Sequence, residues 1–79
     1  MDETTAEEER AHGIAIANAT IKACAGDTFR LSTSISAAIE YYSDRWCLWR
    51  LVAVETMLAE LRQLLEQGVL LDHEEASHA

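Results

Sequence analysis

Proline is absent from this 79-residue sequence, glycine occurs three times, and basic residues are scarce. A chain poor in both helix breakers and rich in alanine, leucine and glutamate is typical of α-helical proteins. Only 6 Lys and Arg residues stand against 14 Asp and Glu residues, which gives a net charge of −8. This charge repels nucleic-acid phosphates and anionic lipids, so we predict no direct nucleic-acid binding, no membrane binding and a basic protein partner.

Long hydrophobic runs are also missing. The longest apolar stretch, residues 46–54, carries Arg50 and is far shorter than the ~20 residues of a membrane span. Residues 1–10 are acidic and lead into no apolar core, which argues against an export signal. These features predict a soluble cytoplasmic protein, of a bacterium or of its host cell.

Patterns that carry catalysis, cofactors or metals are lacking as well. Cys24 and Cys47 have no spacing that suits zinc or redox chemistry, and we expect both to be free, buried and slow to react. His73 and His78 flank two glutamates, but their i, i+5 spacing would make the two rings diverge on a helix. Without a phosphate-binding loop or a nucleophile–base pair, the sequence predicts no enzyme, no cofactor and no metal.

What the sequence does contain predicts a single all-α domain spanning residues 1–79. Thr5 and Glu8 fit a capping box at the start of the first helix, and Gly26 fits its C-terminal stop. We expect a small helical hairpin or a three-helix bundle, completed by dimerisation, with helices at about 6–25, 34–43 and 44–67.

The segments outside these helices are predicted to be irregular. Residues 26–34 form the connector, in which Phe29 and Leu31 alternate and are expected to tuck onto the core. Gly68 is expected to end the last helix through a Schellman-type contact of Val69. The two ends of the chain are predicted to be a short acidic lead and a solvated acidic tail, at residues 1–5 and 72–79.

Residues 35–67 contain no helix breaker, yet their apolar pattern changes phase half-way. The second half forms a stripe rotated by about a quarter turn from the first. One straight helix cannot direct both stripes at one neighbour. Either the helix breaks near Ser43 and Asp44, which we favour, or its two halves pack against different partners.

The second stripe provides more apolar surface than one thin hairpin covers. We therefore expect two hairpins to pair as a homodimer, most simply a four-helix bundle. The predicted dimer interface consists of Leu51, Val54, Leu58, Leu61 and Leu65.

A third strip falls outside both stripes on a continuous helix, and we predict that it binds an outside partner. It combines aromatic, cationic and aliphatic side chains, a composition suited to protein recognition. Its members are Tyr41, Arg45, Leu48 and Val52. The alternative is that the first helix packs against this strip and one of the main stripes is exposed.

Two functions fit these features. The first is a small acidic helical protein–protein interaction module, an adaptor or regulator that self-associates. The alternative is an inhibitor encoded by a phage or mobile element, anti-CRISPR-like in size and charge. Such an inhibitor would use its acidic surface to block a nucleic-acid-binding site or another basic protein site.

Overall fold

The computed structural model describes the backbone of residues 3–41 and 45–78, and the side chains of residues 5–40 and 45–69. Over these residues the chain forms three α-helices and no strand. The helices are α1 (Glu3–Cys24), α2 (Thr28–Tyr41) and α3 (Leu48–His78). The all-α prediction is confirmed, in its three-helix form. In the described part of the chain, no helix combines the length and apolar character that a membrane span requires.

The first helix ends where the sequence predicted. Backbone φ angles of 50° at Ala25 and 80° at Gly26 are left-handed, a conformation that glycine adopts without steric cost. The predicted cap at Thr5 is wrong, because α1 already begins at Glu3 and Thr5 lies inside it. An acidic residue near a helix N-terminus interacts favourably with the helix dipole, which favours this earlier start.

The predicted connector at residues 26–34 is also wrong, because α2 begins at Thr28. Asp27 caps this helix: its Oδ1 accepts hydrogen bonds from the backbone N–H of Phe29 at 2.9 Å and of Arg30 at 3.2 Å. Within the helix, Leu31 is buried in the core as predicted, whereas the Phe29 side chain is 77% exposed.

The predicted break between the second and third helices is confirmed, because α2 ends at Tyr41 and α3 begins at Leu48. Ser43 and Asp44, where the break was expected, lie outside the described residues. The predicted stop at Gly68 is wrong, because α3 continues to His78, so the backbone of the predicted tail is helical as far as that residue. The solvation of this tail stays a prediction. A glycine inside a helix costs only about 1 kcal/mol, and the surrounding leucines and glutamates favour helix.

The core is small and lies where the three helices meet. Short connections make α2 antiparallel to both neighbours, so α1 and α3 run in the same direction. These two helices are in close contact at Gly13, where a Cβ atom would lie 2.3 Å from the backbone oxygen of Trp49. The buried apolar side chains are Ala17, Cys24, Leu31, Ile35, Ala53, Val54 and Met57.

Helix α3 extends past the end of α1. Gly13 is level with the first turn of α3, next to Trp49 and Val52. Both helices rise by about 1.5 Å per residue in the same direction. Cys24, the last residue of α1, therefore lies level with about Leu61 of α3. The rest of α3, as far as His78, therefore projects beyond the α1–α2 turn, which accounts for the longest dimension of 56 Å.

Candidate protein-binding surface

Arg50 anchors the start of α3 against the end of α2. Its side chain is only 2% exposed, and its guanidinium lies 4.0 Å from the centre of the Trp46 ring. Three nitrogens donate to backbone carbonyl oxygens: Nε to Ala38 at 3.0 Å, Nη1 to Arg45 at 2.8 Å, and Nη2 to Ile39. Ala38 and Ile39 belong to the last turn of α2, where carbonyl groups lack helical partners and the helix dipole is negative.

The role of Arg50 was missed in the sequence, where it counted as one of several scattered arginines. It is the one charged residue in the apolar stretch 46–54, which was a usable signal of burial. Two of its three acceptors, Ala38 and Ile39, are on another helix and could not be predicted from the sequence spacing. Through these hydrogen bonds, Arg50 joins the first turn of α3 to the last turn of α2.

One face of α3 is apolar and exposed between Leu51 and Val69. Leu51, Leu58 and Leu65 recur every seven residues and are 45%, 46% and 53% exposed, and Val69 is 67% exposed. At 3.6 residues per turn these four side chains share one narrow face, here called the α3 stripe. Exposed apolar faces of this kind are common where one protein contacts another.

Two members of the predicted dimer interface contribute to the core of the single chain. Val54 is 4% exposed, and Leu61 packs against the buried cluster. Both lie about 40–60° from Leu58 around the helix axis, on the edge of the α3 stripe that adjoins the core. Of the predicted interface, Leu51, Leu58 and Leu65 are therefore largely exposed and Leu61 is half-buried, and Val69 is a further exposed apolar side chain on this face.

The part of the α3 stripe from Leu58 to Val69 forms an open groove of about 660 Å³ with apolar walls. An ion pair flanks it on one side, with Arg62 Nε 2.8 Å from Glu66 Oε1, and both side chains are largely exposed. The lining residues are Leu58, Leu61, Arg62, Leu65, Glu66 and Val69. Apolar walls with a polar margin are the usual anatomy of a protein–protein interface.

The third strip, predicted to bind an outside partner, was drawn on one continuous helix, and the structure has a break within it. Tyr41 is the last residue of α2, Arg45 precedes α3, and Leu48 begins it. Val52 is half-buried and faces α1 at Gly13, as the alternative proposed. Leu48 and Val52 remain one turn apart on α3, and a role for any of the four residues in partner binding stays a prediction.

Both cysteines are free, as predicted, but they are not equally shielded. Cys24 is buried in the core, with its Sγ 3.9 Å from Ser34 Oγ, whereas Cys47 is half-buried just before α3.

We expect a thiol reagent to label the native protein at Cys47 first, and Cys24 only as the chain unfolds. The reason is that labelling a buried thiol requires an opening of the core. Mass spectrometry of labelled wild type and of Cys47→Ser checks this order. Equal labelling rates at the two thiols in native protein would contradict the burial of Cys24.

Within the described residues, no three His, Cys, Asp or Glu side chains are grouped so as to hold a metal ion. The chain matches no protein-family model, no curated protein and no solved structure. The functional interpretation therefore depends on the exposed surface of α3.

Proposed function

We propose that the protein is a small protein–protein interaction module, an adaptor or regulator, that acts by binding and self-associates through α3. The observation that carries this proposal is the α3 stripe, four apolar side chains that the fold leaves 45–67% exposed on one face. Burying a half-exposed leucine contributes about 1 kcal/mol, so covering the stripe gives a substantial driving force for association.

The size and charge of the chain support the same proposal. A 79-residue protein buries a thin core, and small domains of this kind gain stability by associating. The net charge of −8 supports a basic protein as an outside partner, because charge complementarity accelerates encounter and excludes acidic competitors.

Leu58→Glu is expected to dissociate the protein without unfolding the single chain. Leu58 is at the centre of the α3 stripe and is 46% exposed, so a glutamate there meets solvent in the monomer but would be buried in an interface. We expect the mass in light scattering to fall to that of one chain, while the circular dichroism spectrum stays helical.

Gln63→Glu is the matched control. Gln63 is exposed on α3, about 140° around the helix from Leu58, and its replacement adds the same charge outside the stripe. It should keep the wild-type mass. Equal masses for Leu58→Glu and Gln63→Glu, with both folded, would exclude the α3 stripe as the interface. If Leu58→Glu unfolds, Leu58→Ser provides a milder test of the same surface.

A further inference from the structure

The two edges of the α3 stripe differ in chemistry. One edge adjoins the core through Val54 and Leu61. The other edge is charged, because Glu55, Arg62 and Glu66 are exposed and lie within about 80° of Leu58 on that side of the helix. Any partner of the stripe must therefore also face a row of acidic, basic and acidic side chains.

A second copy of the chain fits this edge when the two α3 helices run in opposite directions. In an antiparallel pair the two-fold axis passes through the interface at Leu58, perpendicular to both helices. It leaves the charged edges of the two helices on the same side of the interface, where they contact each other. Glu55 precedes Leu58 by three residues and Arg62 follows it by four. Glu55 of one copy therefore comes level with Arg62 of the other to within about 1.5 Å along the axis.

The parallel arrangement lacks this complementarity. Its two-fold axis places the charged edges of the two helices on opposite sides, so Glu55 does not face Arg62. It also brings both acidic C-terminal ends, each with Asp72, Glu74 and Glu75 in its sequence, to the same end of the dimer. With a net charge of −8 on each chain, that repulsion favours the antiparallel pairing.

We propose that two copies of the protein pair through α3, antiparallel, about a two-fold axis at Leu58. Leu58 then meets Leu58, Leu51 meets Leu65 of the second copy, and Glu55 faces Arg62 of the second copy. Residues 62–68 of each α3 then lie level with residues 54–48, the first turns of the other α3. This inference rests on the proposed self-association and adds the orientation and the residues that meet.

Disulfide trapping tests the orientation. Single cysteines are introduced at Leu58, Leu51 or Leu65 in full-length Cys24→Ala, Cys47→Ser protein whose helicity and mass match the wild type. Leu58→Cys should form a disulfide-linked dimer on mild oxidation, because the two Cα atoms lie close at the axis. Leu51→Cys and Leu65→Cys should each stay unlinked alone, since like positions are about 21 Å apart, but should link when mixed.

The outcomes separate this inference from the proposed function. Linking of all three variants alone, with no link between Leu51→Cys and Leu65→Cys in the mixture, would show a parallel pair and overturn the inference. A dimer mass with no linking at any position would place the interface elsewhere, which also overturns it and leaves self-association standing. The mass of one chain for wild type would overturn self-association and the inference together.

Charge reversal gives a second readout. Arg62→Glu should raise the dissociation constant of the dimer several-fold, and Glu55→Arg combined with Arg62→Glu should restore it. The exposed ion pair of Arg62 with Glu66 within one chain is a minor part of this effect, because such pairs contribute little. No recovery in the double variant would overturn the pairing of Glu55 with Arg62.

Discussion

Arg50→Met is expected to lower the free energy of unfolding by about 3 kcal/mol or more, the largest effect of any single substitution considered. Methionine fills much of the same space but cannot donate to the carbonyl oxygens of Ala38, Ile39 and Arg45. These acceptors are partly buried, and a buried group left without its hydrogen bond costs about 1–3 kcal/mol, so the three lost bonds together account for the expected effect. The cation–π contact with Trp46 is lost as well.

Urea denaturation followed by circular dichroism checks this expectation, with all proteins at the same chain concentration because association contributes to stability. Arg50→Lys should be intermediate, since an ammonium keeps the charge but cannot reach three acceptors with the geometry of a guanidinium. Arg10→Met, on the exposed surface of α1, should stay within about 0.5 kcal/mol of wild type. If Arg50→Met matched Arg10→Met, the anchoring role of Arg50 would be excluded.

Gly13→Ala is expected to destabilise the protein by about 2 kcal/mol, although alanine is the better helix former. The added Cβ would lie 2.3 Å from the backbone oxygen of Trp49 and 3.0 Å from the Cβ of Val52. Neither atom is at the end of a flexible side chain, so α1 and α3 must move apart, and overpacking of this kind costs typically about 1–3 kcal/mol.

Gly68→Ala makes the same chemical change in open space and should have the opposite sign. Nothing lies within 4 Å of a Cβ at Gly68, which is inside α3. Alanine should therefore add about 0.5–1 kcal/mol to the free energy of unfolding. Thermal melts of both variants and wild type at one concentration measure the two shifts. Stabilisation by Gly13→Ala would contradict the close contact of α1 with α3.

These glycines show how far the sequence could predict the fold. Gly26 stops a helix, as predicted, because its backbone is left-handed. Gly68 was expected to do the same, but no other feature of the sequence enforces a turn there. Gly13 allows two helices to touch, which depends on α3, some 36–39 residues away in the chain, and leaves no local signal.

The candidate surface was predictable in part. The predicted dimer interface included Leu51, Leu58 and Leu65, three of the four members of the α3 stripe, and the phase change of the apolar pattern indicated the break near Ser43. Periodicity could not tell which residues of the predicted interface the core of the single chain covers, and these are Val54 almost completely and Leu61 in part. The strip from Tyr41 to Val52 was drawn on one continuous helix, whereas its residues are divided among α2, the connection and α3.

The most direct test of the account is the mass of the wild-type protein in solution at micromolar concentration. Multi-angle light scattering during gel filtration measures it independently of the elongated shape, which a retention volume does not. We predict about twice the chain mass of 8.8 kDa, decreasing towards one chain on dilution. A mass of 8.8 kDa throughout that range, from folded helical protein, would contradict self-association through α3.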